Sequence, residues 1–176
     1  ICPGFGQRGL EGKITAVKYC RENNLATLGI CLGLHVMIIE FARNVLGYTD
    51  ANSSDIDPKT PYPVVDMMEE KKAISTYGSV MRLGGFECTL TPGSKVHTAY
   101  GTSKIVERHR HRYEFNDTFT ADFEKAGMLC TGINPDTKLV EVMEIPSLDW
   151  FIGVEYHPEY SSTVLNPSPL IMNFLG

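Results

Sequence analysis

The sequence contains no apolar run near the ~20 residues that a membrane-spanning helix requires, and no secretory leader is visible at its start. It has five cysteines, an odd number, at positions 2, 20, 31, 88 and 130. No two of them share a C-x-x-C spacing, and no Cys/His pair has the spacing of a zinc site. A disulfide framework and a structural metal are therefore not expected, and a reduced, cytoplasmic setting is. An excess of positive charge is also missing: 16 Lys and Arg against 21 Asp and Glu give a net charge of -5. That balance speaks against general nucleic-acid binding, which needs clustered cations for phosphates. The one basic cluster, Arg108 to Arg112 (RHRHR), is too short to coat a surface but suits a single anionic group. There is no initiator Met, no internal repeat and no low-complexity tract. The reading is one domain over residues 1–176, cut from a longer chain.

What is present is an ordinary globular balance, 43% hydrophobic and 21% charged. Residues 1–12 are Gly-rich and read as a loop whose backbone can approach a ligand closely. Residues 13–23 carry an amphipathic helical stripe, 26–30 a short buried strand, and 32–46 a helix apolar on most faces. This order predicts an α/β fold with a mostly parallel central sheet flanked by helices. Residues 47–66 read as a long loop, and such loops are often functional. Two strands are expected around 79–83 and 86–90, divided by Gly84-Gly85. A short helix is expected over 119–126, closed by Gly127. Residues 139–145 alternate apolar and polar, which predicts a half-buried strand paired as a hairpin with 150–156.

The chemistry begins at Gly29-Ile30-Cys31-Leu32-Gly33. G-x-C-x-G between a strand and a helix is the cysteine form of a nucleophile elbow. The turn must be tight enough to project the side chain above the sheet edge, so the residues two before and two after must be almost without side chains. At a helix N-terminus the thiol is expected to have a lowered pKa, and the Leu32 N–H is a natural oxyanion donor. A thiol nucleophile needs a histidine to move its proton. His157 follows a strand directly. Glu159, two residues on in extended chain, points to the same side and can hold the imidazole. His109 and His111 alternate with three arginines, whose charge is expected to depress their pKa values; they suit binding or structure better. His97 has no context.

Cys31 with His157-Pro158-Glu159 resembles the triad of class I glutamine amidotransferases. Longer strings resemble the CTP synthase family in particular: Gly4 to Lys13 (GFGQRGLEGK), Leu28 to Leu34 (LGICLGL), Glu40 to Gly47 (EFARNVLG), and Glu107 to Asn116 (ERHRHRYEFN). The resemblance covers nearly the whole chain. It implies a flavodoxin-like amidotransferase domain whose N-terminal strands, and the synthase domain before them, lie outside this sequence. It implies that Cys31 attacks the glutamine amide, that a glutamyl thioester forms and is hydrolysed, and that ammonia passes to the synthase domain. There ATP, with Mg, activates UTP. By matching position, Gly4 and Leu32 would supply oxyanion N–H groups and Arg112 would bind the glutamine carboxylate. The Gly6–Gly12 loop would respond to GTP, the family's activator, and Arg82 would contact it. No cofactor is expected within this domain, and a homotetramer is expected of the full-length protein.

Three positions depart from the family pattern. Pro3 stands for a glycine, and Pro fixes φ and lacks an N–H. His35 stands for a substrate-binding glutamine, one helical turn from Cys31 on the same face. Asp55 stands for a glutamate, one methylene longer, that would meet the substrate amino group. These departures keep two alternatives open: another γ-glutamyl or cysteine hydrolase on the same fold, and a catalytically weak assembly or regulatory module.

Overall fold

In a computed structural model the described residues are 1–67 and 81–176. Among these described residues, five helices and nine strands follow in chain order, joined in places by single 3-10 turns. They are α1 (Leu10–Glu22), β1 (Thr27–Ile30), α2 (Leu32–Asn44), β2 (Asn52–Ser53), β3 (Pro63–Asp66), β4 (Arg82–Leu90), α3 (Lys95–Tyr100), β5 (Lys104–His111), β6 (Glu114–Phe115), α4 (Thr120–Ala126), β7 (Leu129–Ile133), β8 (Val140–Glu144), β9 (Phe151–Val154) and α5 (Pro169–Leu175). No helix among the described residues is long and apolar enough to cross a membrane.

The α/β class holds, but the pairing differs from expectation. The main sheet runs β1-β9-β8-β7-β4-β5. Within this sheet only β1 and β9 are parallel, and the other described neighbours are antiparallel. Connection length explains this. A parallel crossover needs a dozen or more residues, whereas β7, β8 and β9 are joined by short segments that permit only reversal. A second small sheet, β2-β3-β6, forms within and beyond the stretch expected to be a loop.

Helix α2 explains why the sheet folds around it. Every residue from Leu32 to Ala42 is buried, which its all-round apolar pattern requires. Its buried carboxylate, Glu40, accepts two hydrogen bonds from Arg21 of α1, at 2.9 and 2.8 Å. The expected break at Gly84-Gly85 does not occur: β4 is one strand pairing with β5 along its length, and Gly84 takes φ +106. Residues 79–80 of the expected first strand lie outside the described residues. Helix α4 ends as expected, at Gly127 with φ +101.

Strand β8 is buried on both faces, not half-buried. Both glutamates on it are satisfied from distant elements. Glu144 accepts from the Lys95 and Val96 N–H groups at 3.1 and 3.3 Å, where α3 begins. Glu141 meets Arg82 and His109.

Candidate active site

Cys31 sits between β1 and α2 with φ +53 and ψ -109, one of three described non-glycine residues at positive φ. The strain of such a conformation persists only where the surroundings hold it. Here they do: the Cys31 N–H donates to the Val154 carbonyl at 2.7 Å, and the His35 N–H donates to the Cys31 carbonyl at 3.2 Å. The two flanking glycines behave as the spacing predicts. A Cβ on Gly29 would lie 2.4 Å from Met37 Sδ and 2.8 Å from the Gly33 backbone, and one on Gly33 would lie 2.4 Å from the Ile1 carbonyl oxygen. Gly153, opposite Gly29 in the β1–β9 ladder, is equally tight: its Cβ would lie 2.6 Å from Leu34. Gly29→Ala is therefore expected to destabilise by about 1–3 kcal/mol, because the Gly33 backbone cannot move aside. A denaturant midpoint equal to that of the parent protein would refute this.

The β1–β9 pair also builds the second half of the site. Both strands run the same way, so their C-terminal ends share one edge of the sheet. Cys31 follows one and His157 lies just beyond the other. The His157 N–H donates to the Arg108 carbonyl at 2.8 Å, and its ring stacks on Tyr160 at 4.5 Å. Nδ1 meets Glu159 Oε1 at 2.7 Å, while Nε2 is buried without a hydrogen-bond partner among the described residues. A carboxylate only accepts, so Nδ1 carries a proton, and in the neutral ring the lone pair is on Nε2.

A cavity of about 810 Å³ opens at this edge. Its lining brings together Gly4, Cys31, Leu32, His35, Asp55, Arg112 and His157, together with Pro3 and Tyr160. Each catalytic or glutamine-binding residue expected from the sequence lines it except Glu159, which meets it through His157, whereas Arg82, expected to contact GTP, does not. A Cβ on Gly4 would lie 3.4 Å from Leu32, so the Gly-rich segment packs against the elbow. Asp55 faces Tyr113, whose phenol is raised above its ordinary value, chiefly by burial and then by that carboxylate.

Two electrostatic expectations are corrected. The Cys31 thiol is raised rather than lowered. Burial is the largest cause, and Glu155 adds to it; the Leu32 N–H pulls the other way and loses. The resting sulfur is thus a thiol, and a base must take its proton during attack. His111 is indeed lowered, to about 3, but burial is the main cause. The neighbouring arginines are not, because β5 alternates: Arg108 and Arg110 are exposed while His109 and His111 are buried.

Sequence reasoning missed the polar cluster beneath the cavity. Glu155 accepts from His35 Nε2, 3.0 Å from each of its oxygens, and lies 3.3 Å from His111 Nδ1. His111 Nε2 pairs with His109 Nδ1 at 2.8 Å, and His109 Nε2 lies 2.9 Å from Glu141. Arg82 is buried between Glu141 and Glu114 and stacks on Phe86. It is not available to an external nucleotide, which corrects the expectation for that residue. His111, Glu114 and Glu155 bring three possible metal-ligand atoms within 4.8 Å. Ion pairs with Arg82 and the histidines already engage these groups. Glu155 had left a trace in the sequence: it is two residues before His157, as Glu159 is two after.

The family description "Glutamine amidotransferase class-I" matches residues 1–176. A CTP synthase of Bacteroides fragilis is 61% identical over 175 residues, 99% of this chain and 33% of that protein. The chain thus spans about a third of the length of the curated relatives it matches. A solved structure described as the Trypanosoma brucei CTPS glutaminase domain with bound acivicin is 36% identical, with a TM-score of 0.93 over 98% of this chain and 67% of that one. A solved structure from Thermoplasma acidophilum, described as one subunit of a GMP synthase, shares the fold, with a TM-score of 0.58 at 16% identity, covering 95% of this chain and 64% of that one.

Proposed function

The chain belongs to the class I glutamine amidotransferases, and from that premise we propose that it is the glutaminase domain of a CTP synthase, hydrolysing the glutamine side-chain amide at Cys31. The observation that carries this reading is the placing of Cys31 and the His157–Glu159 pair at the carboxyl ends of two adjacent parallel strands, on one cavity. Likeness to CTP synthases along the whole chain favours it over another hydrolase or a silent module.

His157 Nε2 takes the proton from the Cys31 thiol as sulfur attacks the amide carbon. Glu159 stabilises the imidazolium. The Leu32 and Gly4 N–H groups receive the developing oxyanion. The C–N bond then breaks, ammonia leaves with the proton from His157, and a glutamyl thioester remains. Water, deprotonated by His157, hydrolyses it to glutamate. Arg112 holds the substrate carboxylate and Asp55 the ammonium. Ammonia is used by a synthase domain of the same full-length chain, a homotetramer, where ATP and Mg support amination of UTP.

GTP activation is assigned to the outer face of β4 and β5. A second cavity of about 630 Å³ is lined there by Leu83, Gly84, Arg108 and Arg110. Its exposed arginines offer an anion what buried Arg82 cannot.

The test is ammonia release from glutamine by the purified chain, with acivicin as the probe. The expected result is turnover, blocked by one acivicin-derived adduct on the peptide containing Cys31. An unmodified Cys31 peptide under acivicin, with no ammonia released, would overturn the assignment.

A further inference from the structure

His35, on the first turn of helix α2, is buried yet lines the cavity, and its two ring nitrogens have different fates. Nε2 is held by both oxygens of Glu155, at 3.0 Å each. Glu155 is fully buried and an acceptor only, so Nε2 must carry a proton whatever the charge of the ring. No hydrogen bond among the described residues reaches Nδ1, the nitrogen left for a ligand. Hence the ring has two states toward a ligand. Neutral His35 would offer a lone pair at Nδ1, and protonated His35 a donor.

We propose that Glu155 is a positioning residue for glutamine recognition: its carboxylate fixes the His35 proton on Nε2, pairs with the imidazolium as its counter-ion, and so presents Nδ1–H to a substrate oxygen. This rests on the glutaminase reading of the cavity.

The charges around His35 favour the cationic state. Glu155 faces it from the turn after β9, Glu114 from β6 and Asp55 from the loop after β2. His111 on β5 is the opposing neighbour, and burial keeps that ring neutral. Burial alone would strip the proton from His35 as well, and it is the largest single influence. The carboxylates together outweigh it, Glu155 foremost, and the net direction is upward from the ordinary imidazole value. The donor is therefore present below that raised midpoint and lost as pH rises through it. A side-chain amide at the same position would donate at any pH.

The experiment combines nitrogen-15 NMR of the histidine-labelled chain with glutamine kinetics. In the parent protein, His35 is expected to titrate above free imidazole and to retain its proton on Nε2 at high pH. Glu155→Gln should lower that midpoint by about one to three pH units. It should also raise KM for glutamine at neutral pH about tenfold while leaving kcat within about twofold, as loss of a ground-state contact requires. In a His35→Gln background KM should lose this pH dependence, and adding Glu155→Gln should then change it little. Neutral His35 protonated on Nδ1, a midpoint below free imidazole, or an equal KM penalty from Glu155→Gln in both backgrounds would overturn the proposal. Absence of glutamine turnover in the parent protein would instead strike the glutaminase reading, and the NMR result would still decide the proton's place.

Discussion

Replacing Cys31 by alanine is expected to lower ammonia release from glutamine by about four to six orders of magnitude, the loss typical when a triad nucleophile is removed. No second thiol can substitute. The other buried cysteine, Cys88, lies in the core with Leu90 and Val96, and Cys2, Cys20 and Cys130 are outside the cavity lining. The fold should survive, because alanine keeps the Cβ and the positive φ of the elbow is unchanged. Only the sulfur's packing is lost. A steady-state assay of glutamate formation and a thermal melt on one preparation separate the two effects. Activity within tenfold of the parent would mean that the chemistry lies elsewhere.

Arg82→Met is expected to have the largest effect on stability, about 3–5 kcal/mol, because it leaves buried carboxylates without their guanidinium. Arg82 contacts Glu141 directly and lies 3.7 Å from Glu114, with its guanidinium 4.4 Å above Phe86. Methionine keeps much of the stem packing but none of the charge. The deficit should shrink as pH falls, because a neutral carboxyl has no need of the missing guanidinium. Adding Glu141→Leu to Arg82→Met should recover part of the loss. Urea unfolding of the single and double variants measures both terms. A single variant within about 1 kcal/mol of the parent, on the scale of an ordinary surface change, would show that Arg82 is dispensable to the core.

The elbow was legible because its constraint is local. A cysteine at positive φ between a strand and a helix needs glycines two residues to either side, and a five-residue window contains them. His157 and Glu159 were legible for the same reason. The sense of the strands was not, since it depends on which segments meet. The polar residues of β8 were misread as solvent-facing because their partners are far along the chain: Arg82 is 59 residues from Glu141, and Val96 is 48 from Glu144. The upward move of the Cys31 thiol was hidden similarly. The helix N-terminus that would lower it is adjacent in sequence, while burial first, and then Glu155 and Glu114, which raise it, arrive through the fold.

The register of β1 against β9 has a wider consequence. Ile30 pairs with Val154, and the next N–H, that of Cys31, donates to the carbonyl of Val154 itself. The ladder thus acts as a ruler between Cys31 and His157, graduated in peptide bonds and independent of the side chains that line the rest of the cavity. Pro3, His35 and Asp55 lie on other segments. Substitutions there can retune which molecule is held, and how tightly, without moving the graduations. Recognition in this domain is free to drift while the cutting geometry stays in step.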